Sequence, residues 1–103
     1  MDETEALAAL GALGQETRLR LYRLLVASGP AGLSAGNIAE RLGVIPSSLS
    51  FHLQHLVQAG LISQHRTGRL MIYAAVPDAM AALIGYLTDN CRGQPAVAAH
   101  RFA

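Results

Sequence analysis

The sequence predicts a mainly α fold carrying one small β-hairpin (α+β). Three observations lead there. Helically spaced apolar residues recur in five segments punctuated by Gly and Pro. Two of these segments are joined by only three residues, Gly43-Val44-Ile45. Two strand-like runs then follow directly, around Thr67-Gly68.

Each element has a local reason. Residues 4–13 place Ala6, Leu7, Ala9, Leu10 and Leu13 at helical spacing, and Gly14 breaks the helix. Residues 16–28 repeat the pattern with Leu19, Leu21, Tyr22, Leu24, Leu25 and Val26, ending in Ser28-Gly29-Pro30. Ser34 is placed to cap a third helix over 34–42, burying Ile38, Ala39 and Leu42, with Gly43 at its end. Pro46 suits the first position of a fourth helix that runs to about Ala59. Residues 61–65 and 70–76 read as the hairpin, and Pro77 opens a last helix over 77–90. The order is helix, helix, helix, helix, strand, strand, helix. A tight three-residue link between helices three and four, followed at once by a hairpin, is the pattern of a winged helix-turn-helix.

At 103 residues the chain is long enough for one domain and too short for two. Residues 1–92 are assigned to that domain and 93–103, beginning at Gly93 and Pro95, to a flexible tail. Apolar residues make up 51% and charged residues 15%, against a globular norm of roughly 25% charged. That balance excludes a disordered chain and predicts more apolar surface than a small monomer hides. A single cysteine, Cys91, excludes an internal disulfide and a zinc finger built from one chain. The acidic Met1-Asp2-Glu3-Thr4-Glu5 start has no basic signal-peptide region, and no stretch reads as a membrane span, so a cytoplasmic protein without a membrane partner is expected.

Charge is distributed unevenly. Asp2, Glu3, Glu5 and Glu16 make the first sixteen residues acidic, whereas residues 17–76 carry six arginines against Glu40 alone. Arginine suits bidentate phosphate contacts, although a GC-rich genome produces the same preference over lysine.

The fourth helix carries the functional signal. Leu49, Leu53, Leu56 and Val57 fall on one arc, facing the core. The opposite arc holds Ser47, Ser48, Phe51, Gln54 and His55, with Ser50 on its flank and no carboxylate to repel phosphate. Serine hydroxyls donate to phosphates or base edges, Gln54 can pair with adenine, and Phe51 can meet thymine methyls. The hairpin tip adds Arg66, Thr67 and Arg69. Solvation alone accounts for Ser and Gln on a helix or for two arginines on a turn, and an exposed Phe also suits a protein contact. Together they favour double-stranded DNA.

Ala12-Leu13-Gly14-Gln15-Glu16-Thr17-Arg18-Leu19, Ile38-Ala39-Glu40-Arg41-Leu42-Gly43, Ser47-Ser48-Leu49-Ser50-Phe51-His52-Leu53 and Arg66-Thr67-Gly68-Arg69 with Ile72-Tyr73 resemble the ArsR/SmtB family of bacterial repressors over residues 5–90. The resemblance implies a homodimer that binds an inverted-repeat operator and leaves it when an effector binds. It implies base contacts at Ser47, Ser50 and Phe51 and wing contacts at Arg66 and Arg69.

The family's sensor motifs are where the chain departs. Where a Cys-x-Cys pair opens the third helix in that family, Leu33-Ser34-Ala35-Gly36-Asn37 stands here, and the last helix offers Asp78 and Met80 where the zinc site has Asp-x-His. Tyr86-Leu87-Thr88-Asp89-Asn90-Cys91 resembles the arsenic-repressor subgroup with one thiol remaining. Cys91 is thus a remnant, an As(III) or other thiophilic ligand shared across a dimer, or a redox site.

Ala79, Met80, Leu83, Ile84 and Leu87 form an apolar stripe on the last helix, and Leu7 and Leu10 belong to a similar one on the first. Pairing through these two helices across a twofold axis spaces two half-sites about 34–36 Å apart. The alternatives are a winged-helix protein-interaction module, and a regulator without an effector. No paired carboxylates, nucleophile-base motif or phosphate loop suggests an enzyme or a small-molecule substrate.

Overall fold

The computed structural model describes residues 1–89. Its elements are α1 (Glu3–Leu13), α2 (Glu16–Ser28), β1 (Leu33–Ser34), α3 (Ala35–Leu42), α4 (Pro46–Gln58), β2 (Ile62–Thr67), β3 (Leu70–Ala75) and α5 (Pro77–Thr88). The fold is mainly α with a small antiparallel sheet, a winged helix-turn-helix.

Local chemistry sets the helix starts. Asp2 Oδ1 accepts from the Glu5 amide at 2.8 Å while Glu5 Oε1 accepts from the Asp2 amide, a reciprocal capping box. Ser34 Oγ accepts from the Asn37 amide at the start of α3. The end of α3 requires a left-handed residue, and Gly43 takes it at φ 65°, turning the chain into α4 within three residues.

The core gathers Leu21 and Leu25 of α2, Ile38 of α3, Leu49, Leu53 and Leu56 of α4, and Leu61, all fully buried. Each such side chain contributes about 1.5–3 kcal/mol of transfer free energy. α1 lies on this core through Ala6, Ala9 and Ala12 and leaves Leu7 and Leu10 outside. Alanine has no bulk beyond Cβ, so α1 approaches closely along that line.

The sheet has one strand beyond the expected hairpin. Its order is β1-β3-β2, with Leu33 opposite Tyr73 and Ser34 opposite Ile72. Two residues are too few to show alternation, so β1 exists only through its pairing with β3. The hairpin itself runs from Ile62↔Ala75 to Thr67↔Leu70, extending the wing two residues beyond the expected end at His65.

Leu83 departs from the expected dimer stripe. It is buried at 3% exposure within the single chain, whereas Ile84 beside it is 54% exposed. At 100° per residue the apolar residues of α5 divide between two arcs, and the inner one packs on the core. The expectations for Cys91 and for the 93–103 tail lie outside the described residues.

Candidate nucleic-acid interface

α4 is anchored by Leu49, Leu53 and Leu56, which turns the other side of the helix outward. Ser47, Ser48, Ser50, Phe51, Gln54 and His55 are all exposed, Phe51 at 59%. Phe51 is not isolated there. Its ring meets His55 edge-on at 4.6 Å to form an exposed ridge, and meets the half-buried His52 at 5.6 Å on the inner side. The helix begins at Pro46 with no side chain capping its first turn, which leaves amide donors at its positive end facing solvent.

The wing lies beside this helix in sequence and packs against it through β2. Arg66, Thr67 and Arg69 are exposed at its tip, in the register Arg66↔Met71 and Thr67↔Leu70. Between Arg41 and Pro77 the sequence has no Asp or Glu, so helix and wing together present a surface without carboxylates.

Three features escaped the sequence reading. Arg18, counted there only among the six arginines of the basic stretch, is 9% exposed. Its Nε donates to the Ala12 carbonyl at 2.7 Å and its Nη1 lies 3.2 Å from His52 Nδ1. This side chain ties the end of α1 and the first turn of α2 to the flank of α4. His52 is pushed below the ordinary histidine value, first by burial, then by the Arg18 charge and His55. A neutral ring therefore accepts the Arg18 hydrogen bond. Ile45, in the turn before α4, is 65% exposed. Pro46 at the first helical position signals it, since residue 45 must then be the outward-facing N-cap.

Arg20 is engaged by Glu16 at 2.7 Å on the opposite, solvated side of α2. Among the described residues, no three His, Cys, Asp or Glu side chains cluster as metal ligands, and no helix is long and apolar enough to cross a membrane.

The same arrangement occurs in known proteins. Residues 13–65 match the helix-turn-helix domain family. The HTH-type transcriptional regulator YgaV of Escherichia coli (strain K12) is 32% identical over 85 residues, which span 82% of this chain and 84% of YgaV. An ArsR-like transcriptional regulator from Rhodococcus sp. RHA1 superposes with a TM-score of 0.71 at 27% identity, over 94% of this chain and 82% of that one. This chain belongs to the ArsR/SmtB family. A homodimeric winged helix-turn-helix DNA-binding domain from Mycobacterium bovis, Mb0332, described as a possible ArsR-family regulator, superposes with a TM-score of 0.68 at 27% identity over 84% of this chain and 81% of that domain. As an ArsR-family member the chain is a transcriptional regulator with a DNA-binding helix-turn-helix, and the family is not one of enzymes.

Proposed function

We propose that the chain is a homodimeric repressor that inserts α4 of each protomer into successive major grooves of an inverted-repeat operator. The observation that carries this reading is the exposed, carboxylate-free ridge of α4 beside an arginine-tipped wing. Ser47 and Ser48, with the uncapped amides of the first turn, take phosphates. Ser50, Phe51, Gln54 and His55 face base edges, where Gln54 reads adenine and Phe51 covers thymine methyls. Arg66, Thr67 and Arg69 hold the flanking backbone or a narrow minor groove.

Pairing uses the outer arcs of α1 and α5. Leu7, Leu10, Ile84 and Leu87 are each at least 41% exposed, and the two helices pack against each other. Exposed leucines on adjacent helices bury themselves most economically across a twofold axis. Met80 is half-buried at the edge of this surface, and Leu83 belongs to the interior.

The test is a gel shift on the DNA upstream of the chain's own gene, with wild type, Phe51→Ala and Cys91→Ser protein, with and without arsenite. The reading requires a salt-sensitive complex that holds two protomers per palindrome. Binding with no salt dependence supports a protein-interaction module instead. Release by arsenite in wild type but not in Cys91→Ser assigns the thiophilic effector to that thiol.

A further inference from the structure

A cleft of about 720 Å³ opens between the C-terminal half of α2 and α5 as far as Ile84, away from the α4 ridge and the wing tip. Its volume lies within the range of small-molecule sites, about 300–1,000 Å³. Val26, Pro30, Ala75, Met80 and Ile84 supply apolar walls.

Two polar groups stand on those walls. Tyr22 is 6% exposed as a whole residue, and its hydroxyl makes no hydrogen bond among the described residues because it reaches the solvent in the cleft. Burial raises its pKa, so the phenol keeps its proton and is a donor. The hydroxyl faces the open cleft, where a ligand acceptor can take the place of water. Arg23 is exposed on the same rim and makes no ion pair among the described residues, unlike Arg20 three residues earlier. With a cation and a neutral donor over an apolar floor, the complementary molecule is a small organic acid with an apolar body.

We propose that this cleft is an effector site for an amphipathic carboxylate, its acid group held by Arg23 and Tyr22 and its apolar part resting on Met80 and Val26. The proposal rests on the regulator reading and deepens it. One wall, α2, carries Arg18, whose guanidinium meets His52 of α4. The other wall, on α5, ends at Ile84, which itself belongs to the face assigned to the second protomer. A ligand wedged between them acts on both the seat of α4 and the spacing of the two α4 helices.

The probes are 1-naphthoate and decanoate, with 1-naphthalenemethanol as the neutral control. Binding to the full chain is measured by calorimetry and mapped by amide NMR shifts without DNA. Saturable binding of at least one acid is expected, with shifts confined to residues 22–30, to Ala75 and to α5 as far as Ile84. The alcohol and the Arg23→Gln variant should each bind about tenfold more weakly. Ala81→Trp, which fills the cleft from an exposed position, should abolish binding while leaving the helical circular dichroism unchanged.

Failure of both acids to bind, equal affinity for acid and alcohol, or shifts elsewhere overturns the proposal. So does a monomeric Ala81→Trp in light scattering, because the cleft is then an interface between copies. Acid binding that leaves operator affinity unchanged overturns the effector role. A protein that binds acid in the cleft but no DNA at any salt concentration defeats the regulator reading and leaves the ligand site standing.

Discussion

Arg18 of α2 reaches His52 of α4 across 3.2 Å while its Nε is held by the Ala12 carbonyl at 2.7 Å. Three helices thus meet on one nearly buried guanidinium directly behind the helix that carries the DNA-facing ridge. Replacing it with methionine keeps the aliphatic stem and strands the Ala12 carbonyl and His52 without their donor. The expected loss is about 1.5–3 kcal/mol in urea unfolding. An unchanged midpoint would show that the guanidinium is merely parked there.

The same pair gives stability a pH dependence. His52 is held below its ordinary value by burial first, then by Arg18 and His55. The folded chain therefore binds fewer protons at this site than the unfolded chain, and stability rises with pH between the two values. The contribution is complete above the unfolded histidine value of about 6.5 and is lost as the pH falls through the lower folded value. The melting temperature of wild type should fall more steeply than that of His52→Gln on acidification below about pH 6.5. Parallel curves would rule out His52 as the source.

On DNA, wing and helix should separate by kind of defect. Arg66→Ala is expected to weaken binding to all sequences and reduce the salt slope by about 1. Ser50→Ala and Phe51→Ala should leave the slope alone and change which bases are preferred, read by binding-site selection on a randomised half-site. A slope that stays constant in Arg66→Ala would remove the wing from the phosphate backbone.

Leu83 and its neighbours should also part ways. Leu83→Ala opens a cavity in the core of each protomer and should cost about 2–5 kcal/mol of stability. Leu7→Glu and Ile84→Glu, both on exposed positions, should leave the helical spectrum intact and halve the mass seen by light scattering. A dimer that survives both charges would place the twofold face elsewhere.

Gly32 should tolerate no side chain. Its φ is 68°, and a Cβ there would run into the Tyr73 carbonyl oxygen at the β1–β3 pairing. Gly32→Ala is expected to cost at least about 1–3 kcal/mol from the backbone conformation alone. Thermal unfolding checks it, and a loss under half a kilocalorie would mean that β1 detaches without consequence.

Much of this molecule was legible along the chain. Ser34, Gly43, Pro46 and Pro77 mark helix boundaries because caps and fixed φ values act locally. The outward arc of α4 follows from the spacing of Leu49, Leu53 and Leu56, since only one arc of that helix is apolar. On α1 and α5 the apolar residues span two arcs, so spacing did not say that Ala6, Ala9 and Leu83 face inward while Leu7 and Ile84 face outward. Arg18 reads only as one more arginine of the basic stretch, because a formal charge carries no record of burial.

The sequence alone determined the order of elements, the three-residue turn and the carboxylate-free helix and wing, because each depends on residues within a few positions of one another. Tertiary structure decided the short strand on β3, the capture of Arg18 by Ala12 and His52, and the cleft that the Tyr22 hydroxyl faces. Those depend on elements that meet only by packing, and their geometry exists only once the helices have come together.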